Sequence, residues 1–95
     1  MVNQIADYKF GPHLQERIDN KHILIQDIMT VINNENVLRL PGEHGATKLV
    51  LNKTRIKKSL EQNNVQDEKI LRRLYKEGGL TVVINEKTNF IITAY

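Results

Sequence analysis

The last sixteen residues, LTVVINEKTNFIITAY, constrain the fold of this chain more than any other stretch. Two β-rich runs flank a polar turn at residues 86–89, which is the pattern of a β-hairpin. Both faces of the hairpin are largely apolar, so we expect at least one of its strands to lie inside a sheet. Strict alternation along the second run separates two sets of side chains, Phe90, Ile92 and Ala94 on one face and Ile91, Thr93 and Tyr95 on the other.

The amino-terminal half has the periodicity of two helices. Gly11 and Pro12 form a favourable helix start, because proline at the first helical position gives up only a hydrogen bond that the helix could not make. Leu14 and Ile18 then share one buried stripe. A second helical pattern runs from about Leu24 to residue 33, where NNEN ends it.

The middle of the chain alternates between strand and helix signals. VLRL (37–40) and TKLVLN (47–52) predict two paired strands joined by the turn PGEHGA, and helical spacing returns from Thr54 to the glycine pair at 78 and 79. The fold class expected is therefore α+β. We predict N-terminal helices packed on an antiparallel sheet of about four strands, with a helical insertion before the C-terminal hairpin.

Length and composition limit what such a chain can do. Its 95 residues, 40% of them hydrophobic, suffice for a single domain spanning 1–95. It has no cysteine and no H-E-x-x-H motif, so we expect neither a zinc site nor a cofactor. No apolar run approaches the roughly 20 residues of a membrane span, and we expect a soluble monomer that acts in the cytoplasm.

Positive charge is concentrated in one segment of the chain. Between Lys48 and Lys76 there are nine basic and three acidic residues, whereas the net charge of the whole chain is +3. Such a segment is typical of a phosphate-rich partner, although a solvated lysine-rich surface has the same composition. Within it, the last predicted helix carries a basic ridge of four side chains, Lys69, Arg72, Arg73 and Lys76.

Three sequence features together resemble the barnase/EndoU/colicin/RelE-like ribonuclease superfamily. They are H-x-x-x-R at 13–17, DI-x-x-VI at 27–32 and the closing LTVVINEKTNFIITAY. The similarity is greatest to small nuclease domains of bacterial polymorphic and contact-dependent toxins. It implies that a histidine and an arginine of the helical part, with a threonine or serine late in the last strand, line an RNA-cleaving groove.

The resemblance, for His13, Arg17 and Thr93, and the chemistry of RNA cleavage, for the others, together suggest a role for each candidate residue. His13 would transfer the proton, Arg17 would hold the phosphate and stabilise the transition state, and Thr93 and Tyr95 would orient the phosphate or stack on a base. Lys48 and the basic ridge would bind the RNA backbone. His44, in the PGEHGA loop, is the better candidate for a second histidine, and His22 is a further competitor.

The function expected is that of a metal-independent endoribonuclease toxin, with tRNA favoured over ribosome-bound mRNA as the substrate. The resemblance also implies an acidic immunity or antitoxin protein that covers the basic groove. Two alternatives remain open from the residues alone. One is a non-catalytic RNA-binding module, which would be indifferent to His13, and the other is a phage or mobile-element domain that binds a protein partner.

Overall fold

The protein forms a mixed β-sheet that is covered by helices on one face. The computed structural model describes residues 3–5, 7–62, 65 and 67–95. Within these residues the sheet has six strands in the order β1-β2-β6-β5-β4-β3, in which β2 and β6 are parallel and every other pair is antiparallel. The strands are β1 (Asn3–Ile5), β2 (Tyr8–Phe10), β3 (Leu38–Pro41), β4 (Thr47–Leu51), β5 (Leu80–Asn85) and β6 (Phe90–Ala94).

The helices pack together on that one face. The described residues include four α-helices and one short 3-10 turn, Glu43–Gly45, between β3 and β4. Each helix contributes at least one buried apolar side chain to a core that it shares with the sheet. The α-helices are α1 (Pro12–Asp19), α2 (Ile25–Asn33), α3 (Lys53–Leu60) and α4 (Glu68–Glu77).

Alternation along the central strands separates a covered face from an open face. Leu49 and Leu51 of β4 are fully buried under the helices, and so is Val82 of β5. On the opposite face, which we call the open face, the described side chains are half-buried or exposed. The open face includes Lys48, Val50, Thr81 and Val83.

A β-bulge changes the side-chain pattern of β6. Ile84 lies opposite Ile91 but Val83 lies opposite Thr93, so the register shifts by one residue at Ile92. Ile91 and Ala94 are both fully buried as a result, and Thr93 lies on the open face. The predicted grouping of Ala94 with Phe90 and Ile92 is therefore wrong, because strict alternation has no place for the extra residue of a bulge.

The α+β class, the order of the central elements and the terminal hairpin are confirmed. The sheet has more strands than the expected four, and the parallel pairing of β2 with β6 makes it mixed rather than antiparallel. The two missed strands, β1 and β2, have three residues each. So short a strand contains too few residues to show a period of two. The insertion between β4 and β5 consists of two helices, α3 and α4.

Among the described residues, no helix combines the length and the apolar character that crossing a membrane requires.

Candidate active site

Helix α1 begins directly after a strand and lies beside β6. Pro12 is at its first helical position, and Gly11 before it is extended, with φ −88° and ψ 178°. Strand β2 pairs with only the first two residues of β6, and the chain then enters α1, which contacts β6. Leu14 anchors the helix in the core and is only 2% exposed. The two elements that carry the predicted catalytic residues are therefore in contact.

The predicted residues of α1 are both accessible. His13 is exposed and Arg17, one helical turn later, is half-buried. Among the described residues, neither side chain forms a hydrogen bond or an ion pair. Their spacing of four residues places them on neighbouring positions of one helix face.

Thr93 of β6 belongs to the open face, whereas Tyr95 directly follows the strand. Thr93 is half-buried opposite Val83. Tyr95 exchanges two backbone hydrogen bonds with Thr81, each 2.8 Å long, and is 58% exposed. The bulge at Ile92 is what gives Thr93 this orientation, because without it the buried Ile91 and Thr93 would share a face.

A cleft of about 200 Å³ brings some of these candidates together. It lies where the α1–α2 connection, the end of α4 and the start of β5 meet. His13 and Thr93 are not among its lining residues, and His22 is, so the competing histidine is the one at this cleft. Its polar lining consists mainly of Arg17, Lys21, His22, Asp27, Arg73 and Tyr95.

An ion pair between Asp27 and Arg73 forms part of the lining of this cleft and joins α2 to α4. Asp27 is 5% exposed and accepts two hydrogen bonds from Arg73, 2.9 Å from Nη1 to Oδ2 and 2.5 Å from Nη2 to Oδ1. Arg73 Nη1 is also 3.5 Å from Glu77 Oε2. The hydrogen bonds to Asp27 raise the pKa of Arg73, while partial burial acts in the opposite direction. The guanidinium is therefore charged at any physiological pH.

The ion pair with Asp27 engages one of the four side chains of the predicted basic ridge. Arg73 is committed to Asp27, which is buried and 46 residues away in sequence. Arg72 forms an exposed ion pair with Glu68, 3.1 Å from Nη2 to Oε1. Lys69 and Lys76 are exposed on the same helix and, within the described part of the chain, form no ion pair. Arg73 therefore has a structural partner, and RNA binding by the predicted ridge stays a prediction that now depends mainly on Lys69, Arg72 and Lys76.

The two remaining candidates lie elsewhere. Lys48 is half-buried on the open face between Leu40 of β3 and Val83 of β5. His44 is exposed in the turn between β3 and β4, with a left-handed φ of 54°. Neither lines the cleft that contains Arg17.

A second cleft, of about 210 Å³, is polar and was not predicted from the sequence. Ser59, only 3% exposed, accepts a hydrogen bond from Asn36 Nδ2 at 2.9 Å and donates to Asn34 Oδ1 at 3.1 Å. The sequence predicted the asparagines only as a helix end. Their side chains instead tie the α2–β3 connection to α3. The described residues include no cluster of three metal-ligating side chains, at this cleft or at the other.

Comparisons of the chain with protein-family models, with curated proteins and with solved structures find no match. The resemblance to the ribonuclease superfamily therefore rests on the motifs and on the order of the elements.

Proposed function

We propose that the protein is a toxin that cleaves RNA without a metal, at the junction of α1 and β6. The observation that carries this proposal is the contact between these two elements, together with the cleft that Arg17 and Tyr95 both line. A toxin of this kind would act in the cytoplasm and would require an acidic protein that neutralises it. Transfer RNA is the favoured substrate.

Metal-independent cleavage of RNA requires several catalytic groups. A base removes the proton of the 2′-hydroxyl, an acid protonates the leaving oxygen, and cations stabilise the negative charge on phosphorus. In our proposal His13 transfers the proton and Arg17 binds two phosphate oxygens with its planar guanidinium. Tyr95, which lines the cleft with Arg17, orients the phosphate, whereas Thr93 lies on the open face and outside this site. Arg17 forms no ion pair with any described residue, so its guanidinium is available to bind a phosphate, which supports this assignment.

His13 and His22 are the two candidates for the residue that transfers the proton, and an experiment can distinguish them. His13 has the spacing to Arg17 that the motif requires, whereas His22 lines the cleft with Arg17. Inducible expression in bacteria, followed by sequencing of RNA ends, compares wild type with His13→Ala, His22→Ala and Arg17→Ala. We expect growth arrest and discrete new RNA ends in wild type, and loss of both in His13→Ala and Arg17→Ala. Loss in His22→Ala with full activity of His13→Ala would overturn the role of His13.

A non-catalytic RNA-binding module is the second candidate. It is favoured by the charge of α3, which has four basic residues and no acidic one. In that case His13→Ala would leave RNA binding unchanged and wild type would cleave nothing. Measuring binding and cleavage on the same preparation separates this candidate from the nuclease.

A protein-binding domain is favoured by the open face of the sheet, where Leu40 is 41% and Ile92 is 47% exposed. Binding of such a partner would persist in an excess of RNA, whereas an antitoxin that covers the RNA groove would be displaced.

A further inference from the structure

Helices α3 and α4 pack against each other and expose a shared basic surface. Lys53 is the first residue of α3 and Tyr75 lies in the last turn of α4, and Lys53 Nζ is 5.3 Å from the centre of the Tyr75 ring. This contact joins the exposed sides of the two helices into one surface. We call it the α3–α4 surface and define it by Lys53, Lys57, Lys69, Arg72, Tyr75 and Lys76.

The charge of this surface is positive and largely unneutralised. Helix α3 has no acidic residue, and the two acidic residues of α4, Glu68 and Glu77, each contact an arginine of the same helix. In the described part of the chain the lysines of the surface form no ion pair. Lysines held at helical spacing in this way can contact successive phosphates of a nucleic acid.

Tyr75 gives the surface a property that charge alone does not. It is 38% exposed, although the apolar stripe of α4 is otherwise buried through Leu71 and Leu74. Lys53 makes a cation–π contact with one face of the ring, so a stacked base would occupy the opposite face. An exposed aromatic ring beside lysines is a combination that single-strand-binding proteins use to stack unpaired bases and hold the backbone.

We propose that the α3–α4 surface binds single-stranded RNA, with phosphates on the lysines and one base stacked on Tyr75. The proposal rests on the proposed function only in taking RNA as the ligand, and it requires no cleavage. An unpaired base is needed because a paired base in an A-form helix does not expose its face to a side chain.

An anionic membrane is a poorer fit to the same residues. A helix that lies on a membrane inserts a broad apolar face into the lipid. The apolar residues Ile56, Leu71 and Leu74 are instead buried against the core of the protein. Tyr75 is the only large apolar side chain of the two described helices that is exposed.

The test is a binding titration at several salt concentrations with a fluorescein-labelled 12-nucleotide single-stranded RNA that has 2′-O-methyl groups, because the proposed cleavage requires a free 2′-hydroxyl. Tyr75→Leu removes the aromatic ring and keeps a large apolar side chain, and Tyr75→Phe keeps the ring. Since stacking on an aromatic side chain contributes about 1–3 kcal/mol per base, we expect Tyr75→Leu to weaken binding by about fivefold or more. Tyr75→Phe should bind like wild type, and Lys57→Ala should weaken binding and lower the salt dependence.

Three controls define the result that overturns the proposal. The same Tyr75→Leu protein should bind inorganic polyphosphate, which has no bases, as wild type does. Equal losses for RNA and polyphosphate, or unchanged RNA binding by Tyr75→Leu, would remove the stacking role. Preferred binding to a duplex of the same sequence, or to vesicles containing phosphatidylserine, would contradict the ligand assignment. Tight single-strand binding by a protein that cleaves no RNA would support this surface while refuting the nuclease.

Discussion

Arg72 and Arg73 illustrate how neighbouring residues of the same type acquire different roles. From the sequence both belong to the basic side of a helix, and the spacing of α4 alone does not distinguish them. The structure gives Arg73 a buried partner, Asp27, and leaves Arg72 in an exposed pair with Glu68. The distinction depends on a carboxylate 46 residues away in sequence, so no local pattern contains it.

The two arginines should therefore differ in their contribution to stability. Arg73→Ala leaves the Asp27 carboxylate buried without its partner, and we expect the free energy of unfolding to fall by about 2–3 kcal/mol. Arg72→Ala breaks only an exposed pair and should change stability by less than about 0.5 kcal/mol. Urea denaturation of the two variants measures both values. Equal effects would mean that the Asp27 pair is not a structural contact.

Gly78 and Gly79 provide a second matched pair of residues. Both have positive φ, 96° and 102°, but a Cβ on Gly78 would meet open space, whereas one on Gly79 would lie 2.4 Å from the carbonyl oxygen of Leu51. Gly78→Ala should cost about 1 kcal/mol of stability, the penalty of a left-handed backbone. Gly79→Ala should cost about 3 kcal/mol or more, because backbone must also move. Thermal unfolding of the two proteins would show the difference, and similar melting temperatures would contradict it.

At the scale of elements, strong local signals predicted the fold well. The hairpin of β5 and β6, the helix start at Pro12 and the strands β3 and β4 follow from turn residues and periodicity. The bulge at Ile92 and the short strands β1 and β2 did not, because each depends on pairing with a distant strand. Both affect the predicted site, since β2 brings α1 to β6 and the bulge turns Thr93 to the open face, away from the cleft with Arg17.

The start of α3 has a capping residue whose contribution to the free energy of unfolding can be measured. The side chain of Asn52 accepts a hydrogen bond from the backbone N–H of Arg55 at 2.9 Å and caps the helix. Asn52→Ala should lower the free energy of unfolding by about 1 kcal/mol, whereas Asn52→Asp should retain the cap. Chemical denaturation tests this expectation. A stable Asn52→Ala protein would mean that packing of α3 against α4 alone defines the helix start.

At the scale of the whole molecule, the sheet separates candidate residues that we predicted from the sequence to line one groove. The helices and the cleft with Arg17 lie on the covered side, and Lys48 and Thr93 belong to the open face. Tyr95, the residue directly after β6, also lines this cleft. The sequence predicted α1, which contributes Arg17 to the cleft, but it did not predict that the end of α4 and the start of β5 line the same cleft. It did not predict that His22 joins the cleft, because the position of the α1–α2 connection depends on packing against α4 and β5.

RNA cleavage at the junction of α1 and β6 is the central claim about this protein. The most direct measurement is incubation of purified protein with end-labelled tRNA in the presence of a chelator, with wild type and Arg17→Ala compared at equal stability. We expect fragments with 2′,3′-cyclic phosphate ends from wild type and a rate at least about 100-fold lower for Arg17→Ala, since a phosphate-binding cation acts on the transition state. Intact RNA with wild type, or equal rates for the two proteins, would contradict it.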